Sequence, residues 1–182
     1  MKRSSELSSL SLVWNRRTTR ILELTAGEAL LAGLKFEKVG GSLATGHSPG
    51  GKWTLWRIGF PKARTYTRVG TSKRNVAILE PGSRTGGAPL AFADGRSFLW
   101  QPAKDRRQDM TFANATGKTI ARFRAENGPG FRVGVEIERW ARDLPELWLL
   151  LLLGGYTLIS LHNDKQAAAA KAKLLKAPTA AE

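Results

Sequence analysis

Fifteen consecutive residues without a charge, Leu147 to Leu161, lie within "DLPELWLLLLLGGYTLISLHND" near the end of a chain that is otherwise polar and basic. Their apolar side chains surround a helical axis instead of forming one stripe, so a helix here must be buried on all sides. A bilayer and a protein interior are the two environments that could do this. Fifteen residues extend about 22 Å at about 1.5 Å each, whereas a hydrocarbon core is about 30 Å thick and takes about 20 apolar residues. Arg139, Arg142, Asp143 and Glu146 precede the run, and His162, Asp164 and Lys165 follow it, so neither end can be extended without burying charge. The run therefore reads as the inside of a protein. The alternative is a tail-anchored single-pass membrane protein that spans with residues 147–161. Asp143 and Glu146 have capping-box spacing and Pro145 falls between them, which predicts a buried helix over 144–162.

The rest of the chain must supply the enclosure. "FRVGVEI" at 131–137 alternates Phe131, Val133, Val135 and Ile137 with Arg132 and Glu136, the period-2 pattern of a half-buried strand. Similar segments recur at 20–24, 29–36, 53–58, 64–69, 75–79, 88–93, 96–101, 110–113 and 119–125. Asp94-Gly95 predicts a type I′ hairpin turn, and "NATGK" at 114–118 and "NGPG" at 127–130 predict further hairpin loops. If Ala121, Phe123 and Ala125 share the inner face with Phe131, Val133 and Val135, then Arg122, Arg124 and Arg132 face outward together. Many antiparallel strands at even spacing suggest a barrel or a sandwich, and only a closed barrel both removes sheet edges and calls for a central apolar helix.

This order of elements resembles the tubby-like superfamily, which includes tubby C-terminal domains, phospholipid scramblases and the plant LURP-one-related proteins. The resemblance covers about residues 14–164. It rests on the strand cadence, on "ATGKTIARFRAENGPGFRVGVEIERW" as a terminal hairpin, and on the apolar helix directly after it. It implies a mainly β fold, a closed antiparallel barrel of about twelve strands around a central C-terminal hydrophobic helix. A flexible leader at 1–13 and a frayed, basic Ala/Lys-rich tail at 165–182 would flank it. The resemblance further implies phosphoinositide binding on the tubby side and lipid transport on the scramblase side. The cysteine cluster of the scramblases has no counterpart in a chain that contains no cysteine.

The absence of cysteine also excludes disulfides and thiolate chemistry. Glu6 and five serines interrupt the N-terminal region, so a secretory leader is not expected, and the location expected is cytoplasmic, at most peripheral at a membrane. A formal charge of +14 favours polyanionic neighbours. "GHSPG" at 46–50 imitates a nucleophile elbow, but Pro49 has no N–H to place in an oxyanion hole, so it reads as a loop. "TGKT" at 116–119 reads as a hairpin turn, and Glu136 and Glu138 as solvated strand residues. His47 and His162 have no partners at metal-ligand spacing, and His162 is expected near the helix C-terminus. No catalytic residue, metal site or cofactor is expected, so the chain reads as non-enzymatic.

The basic pattern that remains is "FPKARTYTRVGTSKRN" at 60–75, which places Arg64, Tyr66 and Arg68 on one strand face and Lys73 and Arg74 in the turn after it. Arginine forks with an aromatic neighbour suit phosphate recognition. The function expected is binding or sensing of an anionic ligand, a phospholipid headgroup at a membrane surface, with a nucleic-acid-binding module as the alternative.

Overall fold

The computed structural model describes residues 11–59, 62–82, 87–128 and 130–176. These residues form twelve strands: β1 (Leu12–Arg16), β2 (Ile21–Ala26), β3 (Ala29–Phe36), β4 (Ala44–Ser48), β5 (Gly51–Ile58) and β6 (Arg64–Val69), then β7 (Asn75–Leu79), β8 (Ala88–Phe92), β9 (Ser97–Pro102), β10 (Met110–Asn114), β11 (Thr119–Ala125) and β12 (Arg132–Ile137). Each strand pairs antiparallel with its neighbours in sequence, and β1 pairs with β12, so the sheet closes into a barrel. A short 3-10 turn, Arg139–Ala141, leads from β12 into α1 (Leu147–Lys176).

Closure follows from alternation. On β2, Leu22, Leu24 and Ala26 point inward, and on β1 Trp14 joins them opposite Leu24. β11 and β12 pair Phe123 with Val135 and Ala125 with Val133, which leaves Arg122, Arg124 and Arg132 outside as expected. These arginines meet carboxylates across the outer wall: Arg122 forks onto Asp105 at 2.8 and 2.9 Å, Arg124 reaches Asp109 at 3.2 Å, and Arg132 reaches Glu126 at 2.6 Å.

The helix enters at the lower end, where β12 stops, and runs up the lumen. Leu147, Leu149 to Leu153, Tyr156 and Ile159 are all buried among inward-facing strand residues. Trp148 closes the lower mouth against the β4–β5 hairpin, where a Cβ on Gly50 would lie 3.0 Å from its Cβ. At the upper end four hydrogen bonds hold the departing helix. The Tyr156 hydroxyl donates to the Ser42 carbonyl, Arg16 donates to Asn163 at 2.9 Å, and Arg57 forks onto Asp164 at 2.8 and 2.9 Å. Burial pushes the Tyr156 phenol well above its ordinary pKa, against the nearby Arg57 charge. Among the described residues no helix is long and apolar enough to cross a membrane.

Several details differ from the sequence reading. β1 begins at Leu12, whose side chain is buried, so ordered structure starts inside the segment read as a leader; residues 1–10 lie outside the described residues. The helix begins at Leu147, too late for the Asp143–Glu146 spacing to act as a capping box. The Glu146 carbonyl instead accepts from Leu150, while its carboxylate pairs with Arg96 of β8–β9. The segment read as a frayed tail continues the helix through Lys176; elongating an existing helix with Ala and Lys avoids the cost of nucleation. His162 is consequently a mid-helix residue, edge-on to Phe131 and hydrogen-bonded to Gln166, and burial holds its pKa below the usual histidine value.

The β8–β9 hairpin is not type I′, because Asp94 keeps a negative φ and Gly95 (φ +90°) carries the left-handed position. Gly95 N–H bonds Phe92 C=O, and Phe92 N–H bonds Arg96 C=O, the pattern of a type I turn followed by a glycine bulge. "NATGK" repeats this geometry at Asn114 and Gly117.

Candidate anion-binding site

β5 and β6 together position the basic residues singled out in the sequence. Their register sets Trp56 opposite Tyr66, Thr54 opposite Arg68 and Ile58 opposite Arg64, all on the outer face, while Leu55 and Thr67 point inward. The Trp56 and Tyr66 rings stack 5.5 Å apart and 13° from parallel, and the Arg68 guanidinium lies 4.4 Å above the Trp56 ring. Arg68 also donates to Asn75 Oδ1 at 3.1 Å. The arginine is thus oriented by a π face and a neutral amide, neither of which cancels its charge.

The β6–β7 turn is tied down by hydrogen bonds. Gly70, at φ +51°, donates to the Lys52 carbonyl at 2.8 Å and accepts from the Thr54 hydroxyl at 3.1 Å. Ser72 N–H bonds the Val69 carbonyl at 2.9 Å, and the Ser72 hydroxyl accepts from Arg74 N–H at 3.2 Å. Lys73 and Arg74 are exposed on this frame, and Val69 beside them is 50% exposed.

The structure therefore brings together Arg68, Lys73 and Arg74, with Tyr66 at the edge. Arg64 is separated from them. It lies four residues down β6, about 13 Å away at strand rise, and its Nε is bound to Glu80 at 2.6 Å. That hydrogen bond holds the Arg64 pKa above its usual value, and the paired carboxylate neutralises its field.

Two members of the site escaped the sequence reading. Lys52 is joined to the turn by its carbonyl, and Trp56 is the platform under Arg68. Both lie on a strand 12 or more residues earlier than Arg68, and only the β5–β6 register shows that they belong. Among the described residues no ion pair involves Lys52, Arg68, Lys73 or Arg74, in contrast to Arg57, Arg64, Arg96, Arg122, Arg124 and Arg132, each of which meets a carboxylate.

The other motifs resolve as local structure. "GHSPG" ends β4 and turns into β5 with Ser48 paired to Gly51. Glu136 is exposed and lies 3.7 Å from Arg124. Among the described residues no group of three or more His, Asp or Glu side chains is placed to hold a metal ion. Comparison with family models, curated proteins and solved structures gave no match.

Proposed function

We propose that the protein is a binding module for anionic phospholipid headgroups, docking on a membrane surface through the β6–β7 turn, and that it is a divergent relative of the tubby-like barrels. The observation that carries this reading is four cations, Lys52, Arg68, Lys73 and Arg74, that meet no carboxylate among the described residues and flank a hydrogen-bonded turn, beside Val69, which is half exposed at the rim of the lower mouth. Cations without carboxylate partners keep their full field for an external anion, and a rigid frame lowers the entropy lost on contact. An exposed apolar side chain at the rim, next to cations on the outer face, suits the boundary between headgroups and acyl chains.

Each Lys or Arg near an anionic surface contributes about 1 kcal/mol, so neutralising all four is expected to weaken vesicle binding by roughly 10²–10³-fold. The measurement is flotation with vesicles of neutral phosphatidylcholine and of the same lipid containing phosphatidylserine or a phosphoinositide, at fixed salt. The K52Q/R68Q/K73Q/R74Q variant should lose recovery with anionic vesicles, while Arg122→Gln, on the outer face of β11, should retain it. Equal recovery of the native chain with neutral and anionic vesicles would refute the reading. A salt-dependent gel shift with DNA or RNA, without vesicle binding, would transfer the patch to a nucleic-acid partner.

A further inference from the structure

Trp148 covers one side of the lower mouth, and the other side is open. There, across the barrel from β1, a cleft of about 290 Å³ lies between the start of α1 and strands β5–β8. Trp53, Val69, Val76 and Phe92, one from each of these strands, line it together with Pro145 and Leu149. Pockets for drug-sized molecules run from about 300 to 1,000 Å³, so this cleft suits one linear chain.

The apolar wall is held in place. Trp53 lies against the β4–β5 hairpin, where a Cβ on Gly50 would come within 3.1 Å of its ring, and Phe92 meets Phe98 at 5.5 Å between ring centres. On β7 the register slips: Thr67 pairs with Ala77 but Arg68 pairs with Asn75, so Val76 is left over and lines the cleft. A bulge of this kind re-aims a side chain.

The cations of the headgroup patch adjoin this wall strand by strand. Lys52 precedes Trp53, Arg68 precedes Val69, and Lys73 and Arg74 are exposed on the turn that joins Val69 to Val76. Successive strand residues point to opposite faces, so β5 and β6 each carry a cation outside and an apolar side chain inside. The remaining flank of the cleft is acidic on balance, with Asp94 and Glu146 sharing Arg96. Two carboxylates on one guanidinium repel a further anion, which directs a charged group over the rim and an apolar one inward.

We infer that the cleft holds the alkyl chain of a single anionic lipid whose phosphate rests on the cations outside the rim, so that the protein binds a lipid molecule as well as a charged surface. This rests on the headgroup reading of the β6–β7 turn. The phosphate oxygens accept from Lys73 and Arg74, and the chain packs on Val69, Val76, Phe92 and Leu149. Val69, 50% exposed in the free protein, is covered by it.

The test is calorimetric titration of the full chain with butyl phosphate, octyl phosphate and octanol, below their aggregation limits. A fully buried methylene is worth about fourfold in affinity, so in an open cleft octyl phosphate should bind about tenfold or more tighter than butyl phosphate. Octanol should bind about tenfold or more weakly than octyl phosphate. Ala93→Trp, at an exposed lining position, fills the cleft and should abolish the gain of octyl over butyl while leaving butyl phosphate unchanged; thermal melting establishes that it is folded. Should it not fold, Val69→Ser decides, because its exposed site tolerates the change; it should cut the gain roughly two- to threefold. The K73Q/R74Q variant should weaken both phosphates alike and keep the gain. Recovery on anionic vesicles with equal binding of butyl and octyl phosphate overturns the chain site and leaves the headgroup reading standing. A gain that Ala93→Trp and Val69→Ser leave intact, or octanol binding as tightly as octyl phosphate, also overturns it. Equal recovery with neutral and anionic vesicles, with both phosphates indifferent to K73Q/R74Q, overturns the headgroup reading and the chain site together.

Discussion

Replacing Gly154 by alanine is expected to destabilise the protein by about 2 kcal/mol, although the same change in an exposed helix adds about 1 kcal/mol. The sign reverses because the helix has no space at this position. A Cβ on Gly154 would overlap Cζ and Cε1 of the Phe123 ring, and one on Gly155 would lie 2.7 Å from Cε2 of Trp14. Neither ring can yield. Phe123 is held by Trp100 at 5.2 Å and Phe112 at 6.2 Å between ring centres, and Trp14 is fully buried. Overpacking of this kind costs about 1–3 kcal/mol, and a closed sheet has no edge along which to relax. Urea unfolding of Gly154→Ala and Gly155→Ala measures it, with Gly154→Ala/Phe123→Leu expected to recover part of the loss. Stabilisation by either single alanine would mean that the helix does not touch the wall there.

Arg96→Ala is expected to cost about 2 kcal/mol through a group that it leaves behind. Glu146 is only 8% exposed at the lower mouth, and Arg96, which also binds Asp94, supplies its cation. Removing one partner of a buried pair costs about 3–5 kcal/mol, and the half-exposed Arg96 side chain lowers that figure through solvent screening. In the Arg96→Ala background, Glu146→Gln should restore most of the stability, because an amide needs no counter-charge. Thermal unfolding of the four members of this cycle measures the coupling. Additive effects would show that the pair does not hold the helix start.

The closed barrel was legible in the sequence because two patterns agree: alternation along the strands and the charge-free run from Leu147 to Leu161, too short to span a bilayer and too apolar for water. The helix ends were less legible. Capping spacing at Asp143 and Glu146 is local, whereas in the structure Leu147 is the first helical residue and the Glu146 carboxylate pairs with Arg96, fifty positions earlier. At the other end, Arg16 and Arg57 grip Asn163 and Asp164 from strands more than a hundred residues away.

The candidate site was partly legible for the same reason. Arg68, Lys73 and Arg74 are close in sequence and in space, but Lys52 and Trp56 join them only through strand register, and Glu80 removes Arg64 through a contact no periodicity encodes.

The central claim is that the apolar helix stays inside the barrel while the outer surface meets an anionic partner. The chain contains no cysteine, so single-cysteine variants report cleanly on it. Leu151 is fully buried and Ala168 is exposed on the projecting part of α1. Thiol labelling of Leu151→Cys and Ala168→Cys, with and without phosphatidylserine vesicles, measures the position of the helix directly. The account predicts rapid labelling at 168 and protection at 151 that persists on vesicles and is lost on unfolding in urea. Labelling at 151 as fast as at 168 in the absence of urea, with or without vesicles, would contradict it.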